Sequence, residues 1–418
     1  MEPVSLQVDP VSGPIDSATV FRVHGVAPGL PVHLDIATID ADGHHWISQQ
    51  DCDVDSNGQL RIADPDRPWW NMKFVDEGIA PVTFVGSEAG LDYRISVHAH
   101  EGSSSTTVRR SWGDDLVRED HVGNGWHLRI YLPDTGESVS AGVLLLPGTM
   151  GARPSTPTAA LLASHGYVSA VLSYMGEPGL PNDFEDIPIE AIAAGMAAFA
   201  SHERVDADRI AVHAASVGVS VALSALVHTP GFSVRAVVAV APTHVVLQAL
   251  ADGAPPPKAS SLTVAGEPLP YMPIRVERLL GQIAKRTFGR VFSPSPTSRA
   301  LSLRPAYSAG LRDDDAVAQA LIPVEKIDAP MLAIAGVADA SYPADRMARA
   351  LLARRRRDTD RLLILPNAGH FLRPPATPTT VDRNNRIVSG GTPAGTAKGQ
   401  RRAWNETLDF LSKTLAAN

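Results

Sequence analysis

The chain has 418 residues, 44% hydrophobic and 20% charged, so it can bury a sizeable core and is neither disordered nor collagen-like. At roughly 150 residues per domain the length allows two or three domains, fewer if one is a large α/β unit. Lys and Arg number 37 against 45 Asp and Glu, a net charge of −8 with no long basic tract, which argues against nucleic acid or an anionic membrane as partner. A single cysteine, Cys52, excludes an internal disulfide and any cysteine-built metal cage. Met1–Leu6 lacks the basic and apolar segments of an export signal, and no apolar run reaches the ~18 residues of a membrane helix. A cytoplasmic protein without membrane insertion is the expectation.

The first 130 residues read as β-structure. Val32–Ile39 and Tyr93–Ala99 alternate with period two, and turn residues punctuate them at Ala27–Gly29, Ala41–Gly43 and Ser56–Gly58. Asp42-Gly43 and Asn57-Gly58 are signals for two-residue hairpin loops. Strands at this spacing predict an all-β, immunoglobulin-like sandwich over residues 1–130. Trp69 and Trp70, in a Pro-rich loop, are expected to pack in the core or the loop rather than to touch a ligand.

From about Tyr131 the pattern changes to buried-strand runs alternating with helical segments, the grammar of an α/β domain over residues 131–418. Strands are predicted at Gly142–Leu146, Val168–Ser173, Arg209–His213, Ala236–Ala241, Met331–Ala335 and Leu362–Leu365. Helices are predicted at Ile187–Ser201, Val217–Val227 and Ala344–Arg357, with Arg354–Arg357 as a solvated C-terminal end. A Pro-, Ser- and Gly-rich insertion at about 252–330 interrupts the alternation. It carries Arg275, Arg278, Lys285, Arg286 and Arg290, and is either a lid with a basic rim or a decorated surface.

The segment that carries chemistry is Arg209–Leu226. A strand enters Ala214-Ala215-Ser216-Val217-Gly218 and leaves into a small-residue helix, the context of a G-x-S-x-G nucleophile elbow with Ala214 in place of the first glycine. A serine nucleophile needs a base, and the base an orienting acid, because an alcohol reacts poorly near neutral pH. The order Ser, Asp, His of α/β-hydrolases is met by Asp339, after the strand starting at Met331, and His370, after the strand ending at Leu365. Asp345 is an alternative acid, placed at the start of the next helix. An oxyanion hole is expected from the backbone N–H of Val217 and that of Thr149, in the loop after Gly142–Leu146.

With these residues assembled, the chain resembles the family of acyl-CoA thioesterases and bile acid-CoA:amino acid N-acyltransferases over nearly its whole length. The similarity lies in Val26–Leu34, Asp53–Leu60, Gly142–Gly148, Ala214–Gly218 and Leu321–Lys326. It is most specific in Pro366-Asn-Ala-Gly-His-Phe-Leu-Arg-Pro-Pro375, with Gly390, Gly391 and Pro393 downstream. The resemblance implies an α/β-hydrolase domain behind a β-sandwich, with Ser216, Asp339 and His370 as catalytic residues. Ala214 and Val217 depart from the family's elbow, where the latter position often holds a lysine.

The expected activity is hydrolysis of an acyl thioester, an acyl-CoA first among them, through a serine acyl-enzyme. Acyl transfer to an amine or alcohol is the alternative, and a non-catalytic hydrolase-fold binding protein a second one. The family's conjugating members use Cys, whereas an oxygen ester on Ser216 resists aminolysis and favours water. The partner is a small acyl thioester or ester. No cofactor is expected, and no metal, since no His-x-x-x-His spacing occurs. Nothing in the sequence fixes an oligomeric state.

Overall fold

Strands that read as unbroken apolar runs are covered on both faces. In a computed structural model, which describes residues 3–79, 81–113, 116–134, 136, 138–229, 231–251, 255–284, 300–381 and 387–417, the strands Ser140–Leu146, Val168–Ser173, Ala236–Val240 and Met331–Gly336 are buried at every position. That is the pattern of a parallel sheet between helical layers. Eight strands lie in the spatial order Val117–Gly123, Trp126–Leu132, Val168–Ser173, Ser140–Leu146, Val205–Ala215, Ala236–Val240, Met331–Gly336 and Arg361–Leu365. The first two pairings are antiparallel and the other five parallel, which makes the sheet that of an α/β-hydrolase.

Period two divides the sheet's side chains between two cores. Leu144 and Leu146 pack with Met196 of helix Ile189–Ala200 and Leu223 of helix Val217–His228. Val143 and Leu145 face the other way, towards Leu161 of helix Thr156–Ser164 and Phe410 of helix Pro393–Thr414. That second core runs on into the N-terminal β-region, through Trp46, Tyr93 and Val108.

The N-terminal strands form a seven-stranded sheet, which includes Pro31–Ile39, His45–Val54, Leu91–Ala99 and Gly102–Ser111, and a two-stranded ribbon of Ser5–Asp9 with Val20–His24. Pro31–Ile39 buries alternate residues, as its sequence requires. The two glycine hairpins close on three residues, not two. Asp40 N–H bonds His44 O and Gly43 N–H bonds Asp40 O; Asp55 N–H and Gly58 N–H repeat the pattern with Gln59 O and Asp55 O. Each Asp carboxylate also accepts two backbone N–H groups, from Asp42 and His44 or from Asn57 and Gln59. These acceptors favour the longer loop, with Gly43 and Gly58 at φ +84° and +77°.

The chain leaves the N-terminal sheet after Ser111 and enters the large sheet at Val117, ahead of the change in sequence pattern near residue 131. The hairpin Val117–Leu132 lies at the sheet's edge with an exposed outer strand, so it alternates like the strands before it. Trp69 is buried in the short helix Arg67–Trp70, edge-on to Tyr93 at 5.0 Å. Across the seam, Asp16 accepts from His165 and Trp404, and Arg401 forks onto Asp66. Burial works to raise the Asp16 pKa, but the bonds from His165 and Trp404 outweigh it and hold the carboxyl below its ordinary value. Among the described residues no helix is long and apolar enough to cross a membrane.

The arginine run is not uniformly solvated. Helix Ala344–Arg355 ends one residue before Arg356, which takes the left-handed C-cap at φ +51°. Arg355 is buried, forked onto Asp360 at 2.7 and 3.0 Å, and donates to the carbonyls of Val324, Ile327 and Ala329. Arg355→Ala would leave the buried Asp360 carboxylate without its ion-pair partner, with only the Met331 N–H still donating to it, and would remove the guanidinium donor from three carbonyls. A loss of about 3–5 kcal/mol is expected in urea unfolding, against well under 1 kcal/mol for Arg357→Ala, whose partner Asp328 is exposed.

Candidate functional site

Ser216 stands between strand Val205–Ala215 and helix Val217–His228 at φ +57°, ψ −130°, a conformation that non-glycine residues rarely adopt. The turn is held by its backbone N–H on Val240 O at 2.9 Å. Gly218 is obligatory, because a Cβ there would lie 2.4 Å from both Leu146 O and Pro147 O. Ala214, the departure from the elbow pattern, is accommodated: its methyl is buried in the core beside the sheet. Gly148 packs against the serine, where an added Cβ would come within 3.1 Å of Ser216 Cβ.

The three residues predicted from chain order come together although 154 residues separate the first from the last. His370 Nε2 lies 2.9 Å from Ser216 Oγ, and His370 Nδ1 lies 2.7 Å from Asp339 Oδ2. Asp339 and His370 are buried, at 1% and 7% exposure. The second carboxylate oxygen of Asp339 accepts the N–H groups of Ser341 and Tyr342. Since that carboxylate accepts from Nδ1–H, Nε2 bears the lone pair that faces the serine hydroxyl. Asp345, the alternative acid, is bonded instead to Arg304 at 2.9 Å.

Val217 opens the helix, so its N–H has no partner in the helical ladder, and the residue lines the same cavity as Ser216. Thr149 lies on the cavity wall beside Gly148, in the loop expected to carry it. This cavity, of about 400 Å³, falls within the range of small-molecule pockets. The insertion supplies Leu303 and Tyr307 to its wall. Its expected basic rim is partly neutralised, since Arg275 pairs with Asp313; Lys285, Arg286 and Arg290 lie outside the described residues.

Several contributors were not legible in the sequence. Phe84 and Trp112 bring the N-terminal region into the cavity wall. Ser389 ties the acid and base loops together: its carbonyl accepts from Ala340 and His370, and its hydroxyl from His370 and Phe371. Gly390, named in the resemblance without a structural role, packs so closely under the loop of Asp339 that a Cβ would meet Ala338 O at 2.1 Å. Arg304 donates to Asp339 O and so braces the same loop. Tyr342 donates to Ala241 O and stands edge-on to His370 at 5.0 Å. Burial drives the Tyr342 phenol well above its ordinary pKa, so it remains a neutral O–H.

Among the described residues, one group outside this cavity has metal-ligand residue types: Glu119, His121 and His202. Their bonding fits a hydrogen-bonded cluster instead. His202 Nδ1 accepts the Arg204 N–H, so its proton sits on Nε2 and points at Glu119. A metal-ligating histidine has the opposite polarity, with its far nitrogen donating.

Residues 298–417 match the family model described as "BAAT / Acyl-CoA thioester hydrolase C terminal". The mouse acyl-coenzyme A thioesterase 6 is 24% identical, covering 96% of this chain and 94% of the relative. The human bile acid-CoA:amino acid N-acyltransferase is likewise 24% identical, covering 99% and 98%. Among solved structures, an α/β hydrolase from a deep-sea metagenome library overlays with a TM-score of 0.40 at 13% identity, covering 72% of this chain and 99% of that one. The resemblance first read from the elbow and the Pro366–Pro375 segment is therefore met over nearly the full length.

Proposed function

We propose that this relative of the acyl-CoA thioesterases and bile acid-CoA:amino acid N-acyltransferases hydrolyses acyl thioesters, acyl-CoA foremost, through an acyl-enzyme on Ser216. The observation that carries the reading is the chain of two hydrogen bonds from Ser216 Oγ through His370 to the buried Asp339. His370 Nε2 takes the hydroxyl proton as Oγ bonds to the thioester carbonyl carbon. The N–H groups of Val217 and Thr149 receive the developing oxyanion. As the C–S bond breaks, the imidazolium returns its proton to the leaving thiolate. Water then attacks the ester, giving its proton to His370; the Ser216–acyl bond breaks, Oγ is reprotonated and the free acid leaves.

Water is the favoured acceptor because an oxygen ester yields to amines less readily than a thioester. Acyl transfer remains the competing reading, on the strength of the N-acyltransferase relative. A panel of acyl-CoAs assayed for free thiol, with and without glycine or taurine, separates them. Stoichiometric release of free acid and thiol without any acceptor is expected. An absolute requirement for the amine would overturn hydrolysis, and fluorophosphonate labelling anywhere but Ser216 would overturn the nucleophile.

A further inference from the structure

Apolar groups make up most of the wall beside Ser216, among them Phe84, Trp112, Leu145 and Leu303. His213 interrupts them. It lies on strand Val205–Ala215, in register with Leu145 and three residues before Ser216. The residue is half-buried and lines the cavity. Among the described residues no other residue hydrogen-bonds the ring, whose one contact of that kind is with its own backbone.

Burial pushes the His213 pKa down to about 4, so the ring is neutral near pH 7, with one N–H and one lone pair. Buried polar groups in folded proteins are nearly always matched, and an unmatched one needs an explanation. A serine or threonine on such a wall can turn its hydroxyl back to a nearby carbonyl. The imidazole's bond to its own backbone occupies one ring nitrogen, which leaves the other to the molecule that fills the cavity.

We infer that His213 recognises a hydroxyl group on the acyl chain, so that the preferred substrates are hydroxyacyl thioesters rather than plain alkanoyl ones. This rests on the thioester reading of the same site. A hydroxyl both donates and accepts, and so satisfies either tautomer of the ring. A carboxylate would be drawn to Arg153 or Arg373 elsewhere on the cavity wall, whereas against the neutral His213 ring it would shed its water without a charged partner. Three residues along a strand span about 10 Å, which places the hydroxyl well down the chain from the thioester.

The test compares kcat/KM for ω-hydroxyacyl-CoA and alkanoyl-CoA of equal length, across a series of lengths, in the wild type, His213→Leu and His213→Gln. The wild type is expected to favour the hydroxylated member about tenfold or more at its best length. His213→Leu should abolish the preference, and His213→Gln, which keeps a donor and an acceptor, should retain part of it. No preference at any length, a preference that survives His213→Leu, or a stronger preference for ω-carboxyacyl-CoA would overturn the inference. If the wild type cleaves no thioester, the functional reading fails instead. The inference is then decided by protection of Ser216 from a fluorophosphonate by the matching free acids. Better protection by the hydroxy acid, lost in His213→Leu, upholds it; equal protection overturns it.

Discussion

Ser216→Ala is expected to lower acyl-thioester turnover by about 10³-fold or more, with little change in the unfolding transition. The kinetic loss is large because the three side chains act as one unit: His370 has no other hydroxyl to deprotonate at 2.9 Å, and Asp339 then orients an imidazole with no task. The structural loss is small because alanine carries the same Cβ into the strained φ of +57° and gives up only the Oγ bond. Steady-state kinetics beside urea unfolding separates the two effects. A variant retaining more than a tenth of wild-type activity would remove Ser216 from the mechanism.

The elements that build the site were legible because burial on both faces leaves so plain a record. Val168–Ser173 emerges as read, and Gly142–Leu146, Met331–Ala335 and Leu362–Leu365 each gain one or two residues. Chain order did the rest: an elbow serine leaves few places for an acid and a base beyond later strands, and Asp339 and His370 stand at two of them, within hydrogen-bond reach of each other. What remained hidden depends on loops meeting loops. Ser389 lies 19 residues beyond His370, in a stretch with no periodic pattern, yet its carbonyl and hydroxyl fix the histidine's backbone. Phe84 and Trp112 belong to the N-terminal region, and only the seam between the two sheets turns them onto the cavity.

Charge was the least faithful guide. The Arg354–Arg357 run reads as one solvated cationic end, but Arg354 and Arg355 divide by helical phase, and Arg357 lies beyond the helix end. Arg354 and Arg357 reach exposed acids, while Arg355 turns inward to Asp360. A 100° step per residue, set against the register of the neighbouring loop, decides which arginine is enclosed. Composition carries no trace of that choice. The same holds for Asp345, whose nearness to Asp339 in sequence made it a rival acid, until Arg304 claimed its carboxylate.

Asp339→Asn should reduce kcat by about 10⁴-fold while substrate binding changes little. In the native loop one carboxylate oxygen accepts the N–H groups of Ser341 and Tyr342, and the other accepts His370 Nδ1–H. An asparagine can keep the first two bonds only by turning its carbonyl oxygen to Ser341 and Tyr342, since both are donors. Its NH₂ then faces Nδ1, which must become an acceptor, so the ring proton moves to Nε2. That nitrogen now donates towards Ser216 Oγ and cannot take its proton. The fold has no reason to change, because Arg304 on the Asp339 carbonyl and Ser389 on the Ala340 N–H still hold the loop. Raising the pH should restore part of the rate, as hydroxide deprotonates the serine without the imidazole. Wild-type kcat in this variant, or a loss confined to KM, would show that Asp339 does not set the tautomer of His370.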